Sequence, residues 1–278
     1  MDDLVSTEWL ERHRPEADIR IVDASYFMPS SGRDARAEFA HARIPGAQFL
    51  DIDTLTDPSH PAPHMLPPAE TFAEAMGALG IGSGDRIVVY DNSPLRTAAR
   101  GWFMLRHFGA SRVAVLDGGF QKWCAEGRPV ESGATAAPRP ARFEVVERQG
   151  EVVTKRMLVN GMGRPVLDAR GRGRFEGSEP DPRPGVERGH IPGARNLPFG
   201  ELYREDGTLK GEDELRAAFA GAGIDPEAPF IASCGSGVTA NSLILAARRL
   251  GGRDAQLYDG SWSEWGADPD TPKDLGPA

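Results

Sequence analysis

Only two cysteines, Cys124 and Cys234, occur among the 278 residues, so no disulfide framework holds this fold together. No apolar run approaches the length that crosses a membrane. The N-terminus, Met1-Asp2-Asp3-Leu4, has neither the basic start nor the apolar core of a secretory signal. A cytoplasmic location is therefore the expectation, and a reducing compartment suits a free thiol. Positive charge is in deficit: a net charge of -9 and a pI near 5.3 argue against nucleic acid or an acidic membrane as the main partner. What remains is an ordinary globular composition, 40% hydrophobic and 26% charged, long enough for two domains.

Short apolar runs alternate with helical patterns along the chain. Ile19–Ala24, Arg86–Tyr90 and Val113–Leu116 read as strands, and Gln48–Asp53 alternates as a half-buried strand does. Helices are expected over 33–42, 69–79 and 96–108. The same order then recurs roughly 145 residues later. Val166-Leu167-Asp168-Ala169 answers Ile21-Val22-Asp23-Ala24, and Ile191-Pro192-Gly193-Ala194 answers Ile44-Pro45-Gly46-Ala47. Tyr258-Asp259-Gly260-Ser261-Trp262 answers Leu116-Asp117-Gly118-Gly119-Phe120. A period this long means two copies of a whole domain, not a solenoid. Strands alternating with helices give an α/β fold, each domain a mainly parallel sheet with helices on both faces. The linker-like stretch 131–140 sets the expected division at 1–135 and 136–278.

One loop carries the chemistry. In Phe230-Ile231-Ala232-Ser233-Cys234-Gly235-Ser236-Gly237-Val238-Thr239-Ala240, an apolar run stops at a cysteine, glycines turn the corner, and a helical pattern begins. Glycines at 235 and 237 let successive N–H groups converge on one point, and the helix start adds partial positive charge there. A thiol so placed is expected to ionise more readily than a free one, and the thiolate is a nucleophile. The plainer alternative is a buried structural cysteine, which needs no glycine cradle. In the first copy Asp91 stands where Cys234 stands in the second, within Asp91-Asn92-Ser93-Pro94. The first copy thus keeps the pattern without the thiol, and one active site per chain is expected. Cys124, beside Lys122-Trp123, reads as a packing residue.

Gly189-His190-Ile191-Pro192-Gly193-Ala194, Cys234-Gly235-Ser236-Gly237-Val238-Thr239 and Tyr258-Asp259-Gly260-Ser261-Trp262, in this order, resemble the tandem-domain rhodanese-type sulfurtransferases. Gly-Ser-Gly-Val-Thr after the cysteine is similar to the 3-mercaptopyruvate branch; the thiosulfate branch carries an arginine and a lysine in this loop. The resemblance implies two rhodanese-like domains, the first without the catalytic cysteine. It also implies a persulfide formed on Cys234, with the loop residues Gly235, Gly237, Val238 and Thr239 cradling the sulfur. Arg174 and Arg183 would grip the substrate carboxylate and keto oxygen, a task suited to the planar guanidinium fork. Asp53, His64 and Ser236 would form a relay. No metal or organic cofactor is implied, and the partners are a small sulfur donor and an acceptor such as cyanide, a thiol or reduced thioredoxin. A monomer is expected. The first-copy turn departs from the pattern, with Arg43 where many relatives place histidine. Thiosulfate:cyanide sulfurtransferase is the nearest alternative activity. A cysteine phosphatase would need arginine six residues after the cysteine, where Ala240 stands. A non-catalytic sulfur carrier would not need the arginines and the relay.

Overall fold

A computed structural model describes residues 1–277. The first copy runs β1 (Leu4–Val5), α1 (Thr7–His13), β2 (Ile19–Asp23), α2 (Ala35–His41), β3 (Gln48–Phe49), α3 (Ala69–Ala78), β4 (Arg86–Tyr90), α4 (Ala98–His107), β5 (Arg112–Leu116) and α5 (Gly119–Ala125). The second runs β6 (Val152–Val153), α6 (Lys155–Val159), β7 (Val166–Asp168), α7 (Arg172–Glu176), β8 (Arg195–Asn196), α8 (Glu212–Gly221), β9 (Ile231–Ser233), α9 (Ala240–Arg249), β10 (Gln256–Tyr258) and α10 (Ser261–Trp265). Each copy builds a five-stranded sheet, ordered β1-β5-β4-β2-β3 and β6-β10-β9-β7-β8. Every pairing is parallel. The two orders are the same once the repeat is allowed for, as a duplicated domain requires.

The central strands β4 and β9 are buried almost throughout, as strands of a parallel sheet covered on both faces are. In the second copy Val166, Ile231 and Tyr258 pack with Phe175, Ile191, Trp262 and Trp265. Both strands end at the same edge of their sheets, where the chain turns into α4 or α9. That edge, beyond the carboxyl ends of parallel strands, is where such sheets place their ligands.

By internal packing the first unit comprises 1–56, 66–148 and 204–209, and the second 57–65, 149–203 and 210–278. The stretch 131–148 is irregular, yet it is tied to the first unit. Arg43 and Glu131 exchange backbone hydrogen bonds, and Ala141 N–H donates to the Gly77 carbonyl (3.0 Å). The alternating stretch 48–53 is strand only over its first two residues. The Asp51 carboxylate then accepts the N–H groups of Asp53 and Thr54, both at 3.3 Å, and folds the chain into a turn.

The departure at Arg43 has a structural explanation. In the second copy His190 stacks on Phe175 and its Nδ1 meets the Phe175 carbonyl at 2.9 Å. In the first copy Arg43, fully buried, lies over the Phe39 ring, reaches the Phe39 carbonyl at 3.4 Å and pairs with Glu131. Arginine replaces histidine and fastens the same turn to the helix before it.

Candidate active site

Cys234 follows β9 directly and is buried, 1% exposed. Its carbonyl accepts the Trp262 N–H (3.0 Å) and its own N–H donates to Ser261 Oγ (3.0 Å). Gly237 takes φ +71°, and a side chain on it would meet the Asp259 carbonyl oxygen at 2.5 Å; only glycine fits this corner. Asn241, wholly buried in the first turn of α9, donates its side-chain amide to the carbonyls of Gly237 (2.7 Å) and Val238 (2.9 Å). The N–H groups of Gly235, Ser236, Val238, Thr239 and Ala240 meet no acceptor among the described residues. The loop is a set of uncommitted donors beside a thiol, followed by a helix N-terminus.

Arg174 lies on α7 and Arg183 in the loop after it. A Cβ added to Gly235 would sit 3.1 Å from Arg174 Nη2 and 3.3 Å from Arg183 Nη1, so both guanidinium groups adjoin the residue next to Cys234. Asp181, its side chain 2% exposed, holds them there: it accepts Arg174 Nη2 at 2.5 Å and lies 3.5 Å from Arg183 Nη1. Two donors are left over, since Arg174 Nε and Arg183 Nη1 are buried without a hydrogen-bond partner. Buried donors of this kind favour an anionic acceptor.

Ser236 is the junction of this cluster. Its Oγ accepts Arg183 Nη2 (3.0 Å) and lies 2.8 Å from His64 Nδ1. One hydrogen bond therefore joins the imidazole to this hydroxyl, its direction set by the His64 tautomer. His64 is buried, at φ +62°, in the segment that packs with the second unit. Cys234, Gly235, Ser236, Gly237, Val238, Thr239, His64, Arg174 and Arg183 are thus gathered in the second unit. Asp53 belongs to the first unit, where it lines a cavity of about 420 Å³ with Tyr26, Phe27 and Arg33. Asp181, Asn241 and Ser261 were missed by sequence reasoning. Asp181 stood in view within Asp181-Pro182-Arg183, where an acid two residues before a candidate site arginine is the signal to follow. Cys124 is a correction: it is exposed on α5, and Phe120 and Trp123 supply the packing on that helix.

The rhodanese-like domain model matches residues 6–126 and again 154–268. The chain belongs to the rhodanese-like domain family. It is 43% identical over 271 residues to 3-mercaptopyruvate sulfurtransferase of Escherichia coli (strain K12), covering 96% of each chain. It is 40% identical over 272 residues to thiosulfate sulfurtransferase of Cricetulus griseus, covering 94% of this chain and 91% of that one. The crystal structure of SseA from Escherichia coli superposes with a TM-score of 0.85 at 40% identity, covering 95% of this chain and 100% of that one.

Within this pair of rhodanese-like domains, the first shows what the loop does when its occupant is built in. Asp91 Oδ1 accepts the Ser93 N–H (2.9 Å) and Oδ2 the Ala98 N–H (2.7 Å). Ser236 and Ala240 are the counterparts of those donors, and their N–H groups are uncommitted. Burial pushes the Asp91 carboxyl above the usual carboxylate range, and these two donors oppose the shift. In the first domain the loop donors meet the Asp91 carboxyl; in the second the residue at that place is Cys234.

Proposed function

We propose that this protein is a 3-mercaptopyruvate sulfurtransferase, working through a persulfide on Cys234. The observation that carries the reading is the pair of buried guanidinium nitrogens without a hydrogen bond, Arg174 Nε and Arg183 Nη1, beside the cysteine loop. They suit a planar 2-keto carboxylate, held by its carboxylate and keto oxygens. The loop itself, Gly-Ser-Gly-Val-Thr, contains no cation for the sulfonate end of thiosulfate.

The Cys234 thiolate attacks the sulfur of 3-mercaptopyruvate. The carbon–sulfur bond breaks, its electron pair moves to carbon as the pyruvate enolate, and the outer sulfur stays on Cys234. Arg174 and Arg183 stabilise the charge that grows on the enolate oxygen. Ser236, backed by His64, supplies a proton to the enolate carbon; Asp53 completes the relay by orienting His64, a role taken from the family resemblance. The uncommitted N–H groups of the loop hold first the thiolate and then the persulfide anion. Cyanide, a small thiol or reduced thioredoxin then attacks the outer sulfur and releases Cys234. We place this chemistry in a monomer in the cytoplasm, where a reducing environment regenerates thiol acceptors. No helix among the described residues is long and apolar enough to cross a membrane.

Steady-state turnover with 3-mercaptopyruvate and with thiosulfate as donors tests the reading. kcat/KM is expected to be higher for 3-mercaptopyruvate, with pyruvate released; a preference for thiosulfate overturns it. Mass spectrometry after donor alone is expected to show a gain of about 32 Da on Cys234, absent from Cys234→Ser, as a covalent sulfur intermediate requires.

A further inference from the structure

Ser261 is the first residue of α10, wholly buried, at φ +49°. That region of backbone space disfavours every residue with a side chain and suits glycine. The first domain has glycine at the corresponding place: Gly119 opens α5 at φ +58°. The surroundings correspond as well, since Phe120 N–H donates to the Asp91 carbonyl (2.9 Å) as Trp262 N–H donates to that of Cys234 (3.0 Å). The fold thus closes this corner with glycine where there is no thiol, and with a strained serine where there is one.

The hydroxyl explains the exchange. Ser261 Oγ accepts the N–H of Cys234 (3.0 Å) and the N–H of Gly237 (3.1 Å), which occupies both of its lone pairs. Its single proton has two acceptors in range, the Tyr258 carbonyl at 2.8 Å and Cys234 Sγ at 3.9 Å. The first is the better bond while sulfur is a neutral thiol. A sulfur anion changes the order, because charged acceptors form the stronger hydrogen bonds.

We propose that Ser261 is a positioning residue for Cys234, which clamps the cysteine loop at its start and its corner and turns its hydroxyl proton to Sγ when the sulfur is anionic. This rests on the reading of Cys234 as the nucleophile. Strain at Ser261 persists because the hydroxyl is needed there.

The test uses the full chain with Cys124→Ser as background, so that Cys234 is the only thiol. Ser261→Gly is the informative variant, since Gly119 shows that the fold accepts glycine at this corner; Ser261→Ala removes the hydroxyl and keeps the strain. Iodoacetamide alkylation of Cys234 is followed against pH, with thermal melting in parallel. The midpoint of the alkylation profile is expected to move about one unit higher in both variants, as loss of a hydrogen bond to a charged group implies. Ser261→Gly is expected to melt no lower than Ser261→Ala. Folded variants with an unmoved midpoint overturn the proposal. Alkylation needs no sulfur donor: a shifted midpoint in a protein that ignores 3-mercaptopyruvate sinks the substrate reading and leaves Ser261 its role. An unmoved midpoint with turnover intact does the reverse.

Discussion

Arg183 contacts both Asp181 and Ser236. Its Nη2 donates to Ser236 Oγ at 3.0 Å while its backbone N–H donates to Asp181 Oδ1 at 3.0 Å, so one residue joins the acid and the hydroxyl. Lysine at this position keeps the charge and loses the fork. Arg183→Lys is expected to lower kcat/KM for 3-mercaptopyruvate by roughly 10- to 100-fold, the range of one charge-assisted hydrogen bond. Both kcat and KM should change under the proposed mechanism, in which the Ser236 contact serves chemistry and Nη1 serves binding. A loss confined to KM would remove Arg183 from the proton path. The two arginines were legible in the sequence only through family resemblance. Arginines among glycine and proline otherwise read as solvated loop charges. What marks them is contact with Asp181 and Gly235, which no local pattern encodes.

The cysteine loop is an element whose two glycines do different work. A side chain on Gly237 would press against the Asp259 carbonyl, backbone that cannot move away, and φ is +71°. At Gly235 the neighbours are the ends of two flexible arginine side chains, at 3.1 and 3.3 Å. Gly237→Ala is therefore expected to destabilise the protein by about 2 kcal/mol or more in urea denaturation. Gly235→Ala should leave the urea midpoint nearly unchanged and raise KM by displacing the guanidinium groups. If Gly235→Ala unfolds the protein and Gly237→Ala does not, the assignment of roles is wrong. At this scale the sequence was informative where an element is long or buried. β4 and the helix after Cys234 stood out as an apolar run and an alanine- and leucine-rich pattern. β1, β3, β6 and β8 are two-residue strands, too short for any periodicity. They exist through pairing with a neighbour; only β3 had a local signal, the alternation over 48–53, which overstated its length. The loop was legible as a cradle because glycine spacing is a backbone property. The clamp by Ser261 was not, because it crosses from α10.

The whole chain is one domain used twice, and the repeat lets each copy serve as the control for the other. Asp23 and Asp168 end equivalent strands, and both are buried. Asp168 has Arg170 two residues on, with Nη2 at 2.7 Å and both side chains 1% exposed. Asp23 has Ser25 there instead, whose N–H donates to Oδ1 at 2.8 Å. Without a cation, burial pushes the Asp23 carboxyl up to about 6, against 3.8 for an exposed one, and the nearby Asp91 adds to the shift. The folded protein therefore holds this proton more tightly than the unfolded chain does. Asp23 favours folding most below about pH 4, and that contribution is lost as pH rises through about 6. Asparagine keeps the acceptor for Ser25 and cannot ionise. The stability difference between Asp23→Asn and the unaltered protein should therefore move in favour of the variant between pH 4 and pH 7, by up to about 3 kcal/mol for a shift of two units. Urea denaturation at both pH values measures it. A difference that stays constant across this range would mean that Asp23 is ionised throughout. The first domain would then tolerate a buried carboxylate that the second pairs with arginine.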